Sequence, residues 1–111
     1  MNLQNILIIK LRHIGDVLLS TPVLRGLRAS FPDARLTMLV NRGTEGILKH
    51  NPDVNEVLCL EKGSWDAQLR FVQRLRRRRF DGVIDLTDGD RSAVISLATG
   101  APVRIGFNAE H

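Results

Sequence analysis

Short, continuous apolar runs alternate along the chain with longer stretches in which apolar residues recur at helical spacing. The first run, Asn5 to Leu11 (NILIIKL), does not alternate apolar with polar, and such a segment suits a central parallel strand covered on both faces. After it, Val17, Leu24, Leu27 and Phe31 recur as one helical face, which predicts a helix from about Asp16 to Phe31. Pro22 interrupts that pattern. Either Thr21 caps a new segment with Pro22 at its first position, or the helix kinks there. Arg35 to Val40 then predicts a second strand, Thr44 to His50 a short helix, and Glu56 to Leu60 a third strand. Ser64 is the expected N-cap of a longer helix with Trp65, Leu69, Val72 and Leu75 on one face. Trp65 reads there as a core anchor rather than a sugar-stacking platform. Phe80 to Leu86 (FDGVIDL) predicts strand four, Ser92 to Thr99 a short helix, and Val103 to Phe107 strand five.

Strands joined through helices pair in parallel with right-handed crossovers, so the expected fold is α/β, a doubly wound, Rossmann-like parallel sheet. The common strand order for such a series is 3-2-1-4-5, with its switch point between strands one and four. Ligands bind outside the carboxyl ends of strands at that point, so residues 11–16 and 87–91 should line one crevice. The 111 residues form one expected domain, with no internal repeat or low-complexity linker. Strand five is followed by about four residues and no covering helix, which suggests a fragment whose second domain would follow.

Composition changes the picture only in part. With 43% hydrophobic and 25% charged residues, wholesale disorder is excluded. Cys59 is the only cysteine, so no intrachain disulfide can form. The N-terminus lacks the pattern of a secretory signal and no apolar stretch nears membrane-spanning length, so a cytoplasmic location is expected. The net charge of +4 points to acidic partners, and much of the excess lies in Arg70, Arg74 and the run Arg76 to Arg79. These arginines read either as a solvated helix end or as a surface for an anionic ligand or membrane headgroups. Nucleic acid is not expected, because the chain has only five aromatic residues and they offer no stacking surface among the arginines.

The loop after strand one, Lys10-Leu11-Arg12-His13-Ile14-Gly15-Asp16, holds one glycine and matches neither a dinucleotide fingerprint nor a P-loop. It offers instead a carboxylate, Asp16, at the start of a helix, which is a helix cap, a ligand clamp or a general base. Lys10 and Arg12 could hold phosphates or carboxylates of an acidic substrate. His13 could touch a sugar, and no second His or Cys stands at metal-ligand spacing. Thr87 and Asp88 end strand four, as sugar contacts or as a turn before Gly89. Asp85 reads as structural. A phosphoacceptor receiver-type signalling domain would have the same length and alternation, but it needs clustered acids after strand one and an Asp ending strand three. Strand three here ends Leu60-Glu61-Lys62. A basic nucleic-acid-binding domain is a third alternative, resting only on the arginines.

The opening ILIIKLRHIGDVLLSTPVLRGLRASFPDARLTMLV, followed by NPDVNEV, FDGVIDLTD and VRIGF, resembles the bacterial lipopolysaccharide heptosyltransferases over essentially the whole chain. Leu86-Thr87-Asp88 and His13-x-Gly15-Asp16 are most similar to the members that add a side-branch heptose. The resemblance implies the N-terminal, acceptor-side half of a two-domain GT-B glycosyltransferase, with most donor contacts in a C-terminal domain. It implies inverting transfer from ADP-heptose to the acidic lipopolysaccharide core, with no cofactor or obligatory metal, and peripheral contact with the inner membrane is a further expectation. By its match to the family motif, Asp16 would be the catalytic base, and Ile14 and Gly15 the wall against the donor sugar.

Overall fold

The computed structural model describes residues 3–11, 21–41, 51–60, 64–86 and 90–106. Its strands are β1 (Asn5–Lys10), β2 (Arg35–Asn41), β3 (Glu56–Leu60), β4 (Gly82–Asp85) and β5 (Val103–Gly106). The helices are α1 (Thr21–Ser30), α2 (Trp65–Arg77) and α3 (Asp90–Ala98). All neighbouring strands pair in parallel, in the order β3-β2-β1-β4-β5, as the alternation predicts.

The continuous apolar run of β1 explains its central place. Ile6, Leu7, Ile8 and Ile9 are all fully buried, because helices cover both faces of the sheet. Ile6, Ile8, Leu36, Met38, Val40 and Ile84 point to one face, where Leu24 is buried and Leu27 and Phe31 pack. Leu7, Ile9, Leu39 and Val83 point to the other, against Phe71 and Leu75 of α2 and Ile95 of α3. Pro22 falls in the first turn of α1, where a missing N–H costs no intrahelical bond. Residues 16–20 of the expected first helix and the expected helix Thr44–His50 lie outside the described residues.

Three expectations need correction. The face of α2 turned to the sheet is carried by Phe71 and Leu75, whereas Trp65 is 84% and Leu69 56% exposed, so Trp65 is not a core anchor. Strand β4 is shorter than Phe80 to Leu86. Phe80 leaves the ladder to plug the core beneath α2, and the Asp81 carboxylate accepts the backbone N–H groups of Gln4 (2.8 Å) and Asn5 (3.0 Å). Helix α3 begins at Asp90 rather than Ser92, consistent with the preference of Asp for a first helical turn.

Candidate active site at the carboxyl edge of the sheet

Strands β2 and β3 lie on one side of β1, and β4 and β5 on the other, so the chain reverses its winding between β1 and β4. In open α/β sheets such a reversal is where ligand crevices form, outside the carboxyl ends of the strands, and here the helices that come next after β1 and β4, α1 and α3, pack on opposite faces. Ile9 pairs with Asp85 across this boundary, and the Leu86 N–H donates to the Ile9 carbonyl at 2.9 Å. Lys10 closes the same end. Its ammonium donates to the Leu86 carbonyl at 2.9 Å, joining the exits of both strands. An ammonium carries three N–H donors, so this bond braces the crevice without exhausting the cation.

Of the residues singled out in the sequence, Lys10 is therefore placed at the β1–β4 exit and tied to backbone. Arg12, His13, Ile14, Gly15, Asp16, Thr87 and Asp88 lie outside the described residues. The two segments that contain them follow directly from Leu11 and Leu86, at neighbouring strand ends. Asp85 is buried, as a structural role requires. Among the described residues no group of His, Cys, Asp and Glu is arranged to hold a metal ion.

The opposite, amino edge is occupied by structural polar contacts that residue type alone does not signal. Arg28 donates to the carbonyls of Pro32, Ala34 and Asp53 and to Asn55 Oδ1, tying the end of α1 to the starts of β2 and β3. Glu56 accepts from Arg35 (2.6 Å) and, through both its oxygens, from Arg78 (2.7 and 2.8 Å). The hydrogen bonds from Arg78 hold the Glu56 carboxyl below its ordinary value, with Arg35 adding to the effect and partial burial opposing it. Asn5 donates its side-chain amide to the Arg78 carbonyl at 2.7 Å, where α2 ends.

These contacts also locate the arginine cluster. Helix α2 runs antiparallel to the strands, from Trp65 near the exit of β3 to Arg77 near the entrance of β4. Arg76 to Arg79 thus lie at the amino edge, away from the crevice, with Arg78 paired to Glu56. Arg70, Arg74 and Arg77 are exposed along the side of the molecule.

Comparison with known proteins agrees with this architecture. The family model for glycosyltransferase family 9 (heptosyltransferase) matches residues 68–111. Lipopolysaccharide heptosyltransferase 3 of Escherichia coli K12 is 37% identical over 101 residues, covering 86% of this chain and 29% of the relative. The crystal structure of the glycosyl transferase family 9 protein from Veillonella parvula superposes with a TM-score of 0.82 at 25% identity, covering 96% of this chain and 33% of that one. The E. coli ADP-heptose lps heptosyltransferase II gives 0.81 at 28% identity, covering 93% and 30% respectively. The chain spans about a third of the length of the curated relatives it matches. Kinship of this kind, spread over both the early and late elements of the same five-stranded sheet, sets aside the receiver-type and nucleic-acid-binding alternatives: the chain is similar throughout to the heptosyltransferases of glycosyltransferase family 9.

Proposed function

We propose that this chain is the N-terminal, acceptor-side half of an inverting heptosyltransferase that moves heptose from ADP-heptose to the inner core of lipopolysaccharide. The observation that carries the reading is the kinship with lipopolysaccharide heptosyltransferase 3 across 86% of the chain. The donor follows from the related ADP-heptose lps heptosyltransferase II. The adjacency of the β1 and β4 exits supports the site, since the segments bearing Asp16 and Asp88 leave from them.

In this mechanism the Asp16 carboxylate takes the proton of an acceptor hydroxyl as that oxygen bonds to the anomeric carbon of heptose. The bond from that carbon to the ADP oxygen breaks at the same time, ADP leaves with the electron pair, and the configuration inverts. The same negative charge also stabilises the cation-like sugar in the transition state. Lys10 and Arg12 face an acidic acceptor, while His13, Thr87 and Asp88 contact sugar hydroxyls and Ile14 and Gly15 border the donor sugar. Most donor contacts belong to a C-terminal domain. The enzyme acts in the cytoplasm, peripherally at the inner face of the membrane that carries its acceptor.

The test is turnover of the full-length protein carrying Asp16→Asn or Asp16→Ala. Loss of about a hundred- to ten-thousand-fold in kcat, with acceptor KM changed far less, is expected of a general base. Near-native turnover by either variant would remove Asp16 from the mechanism.

A further inference from the structure

Every large apolar side chain that is exposed among the described residues lies on the α2–α3 side or on β5: Trp65 (84%), Leu69 (56%), Val94 (63%), Leu97 (61%) and Ile105 (45%). The α1 side has none among those residues. Trp65 and Leu69 are four residues apart and Val94 and Leu97 three, so each pair shares one helical face. In α2 that pair lies about 120° around the helix from buried Phe71 and Leu75, and in α3 it lies on the far side from buried Ile95 and Ser96. The helices are in contact, and Arg76 of α2 reaches toward Gly100 behind α3. An outward apolar strip therefore runs across neighbouring helices.

Beside the strip runs a basic one. Arg70, Arg74 and Arg77, spaced four and three residues apart, line an open hollow together with Ala67 and Gln73. Arg74 stacks over the Phe71 ring at 5.8 Å, which fixes one guanidinium at the surface. Arg70, Arg76 and Arg77 form no ion pair among the described residues, and Asp66 is the only acid in α2. A protein partner would have to supply a matching acidic patch around an apolar centre. A bilayer surface offers both chemistries at once, phosphates for guanidinium groups and an apolar boundary for an indole and a leucine.

We infer that the outward surface of α2 and α3 docks on an anionic phospholipid bilayer, with Trp65 and Leu69 entering the headgroup boundary and Arg70, Arg74 and Arg77 binding lipid phosphates. The orientation that follows rests on the proposed transferase function. Since α2 begins at the carboxyl edge of the sheet, docking along it sets the β1–β4 crevice at the rim of the contact, where the core of a lipid-anchored acceptor emerges.

The experiment uses the full-length protein and vesicles of phosphatidylcholine with or without phosphatidylglycerol. Sedimentation with the anionic vesicles and little with the neutral ones is expected, weakening as salt screens the arginines. Replacing Arg70, Arg74 and Arg77 together by Gln should weaken binding by about a hundred-fold. Trp65→Ser with Leu69→Gln should weaken it by about tenfold. Brominated lipid should quench the part of the protein's fluorescence that Trp65→Phe removes. Transfer to a delipidated, soluble acceptor should stay at the wild-type rate in all these variants, which separates docking from folding. Absence of anionic-vesicle binding, undiminished binding by the variants, or no quenching would overturn the inference. Failure of the wild-type protein to use any soluble acceptor would instead overturn the transferase reading and leave the vesicle result to stand by itself.

Discussion

Glu56 stands at the first position of β3 with two guanidinium groups on one carboxylate, and the Arg78 contact is the bidentate kind that couples geometry to charge. Arg78 belongs to the end of α2 and Arg35 to the start of β2, so this single acid links three elements at the amino edge. Its carboxyl is held below the ordinary 4.5, first by the Arg78 hydrogen bonds, so the folded state prefers it ionised more strongly than the unfolded chain does. The stabilisation is present in full above the ordinary value and is lost as pH falls through the lowered one. Urea unfolding at a series of pH values should accordingly show an acid-side decline, beginning below about pH 4.5, that is shallower in Glu56→Gln than in wild type. Parallel declines in the two proteins would show that other carboxylates carry the acid sensitivity.

Helix α2 shows how an element is set by its ends as much as by its stripe. Ser64 caps it, with backbone at φ −65° and ψ 167° and its side chain accepting the Ala67 N–H at 3.4 Å. At the other end Arg79 takes φ 53°, the left-handed conformation in which a Cβ is strained and glycine is usual. Arg79→Gly should raise stability by about 0.5–1 kcal/mol, the relieved strain exceeding the added freedom of the unfolded chain. A fall in the urea midpoint would show that the Arg79 side chain contributes more than its backbone costs. The strands and their order were legible in the sequence because β1 is apolar at consecutive positions and helical stretches separate the runs. The buried face of α2 was legible only in part, because Leu75 is buried as its series predicts while Trp65 and Leu69 of the same series are exposed, and period alone cannot rank them against Phe71. The sheet decides between them. The start of β4 differs from its expected place for a related reason: Phe80 is as buried as a strand residue, yet it plugs the core from a turn held by Asp81. At the candidate site, strand endings gave the address and family motifs gave Asp16. The brace from Lys10 had no sequence signal, because its acceptor is a backbone carbonyl.

At the scale of the molecule, β5 forms an edge of the sheet with Ile105 nearly half exposed, and the chain corresponds to about a third of each curated relative. Glycosyl transfer needs two substrates held in one geometry with water kept out, and most of the rate of such a reaction comes from that positioning. In the proposed mechanism the segment that follows β1 brings the Asp16 carboxylate to the acceptor hydroxyl. Under the proposed division of labour, the groups that hold ADP and orient the anomeric carbon lie elsewhere in the protein. Residues 1–111 expressed alone should therefore catalyse no measurable heptose transfer, although weak acceptor binding can survive in them. The full-length protein under the same conditions should turn over. Each preparation would be assayed with ADP-heptose and a heptose-deficient acceptor, following ADP release and acceptor mass, with acceptor affinity measured separately. Sustained turnover by the short chain would mean that one sheet positions both substrates, and the two-domain assignment would have to be abandoned. Acceptor binding without turnover is the result that assigns this sheet its half of the reaction.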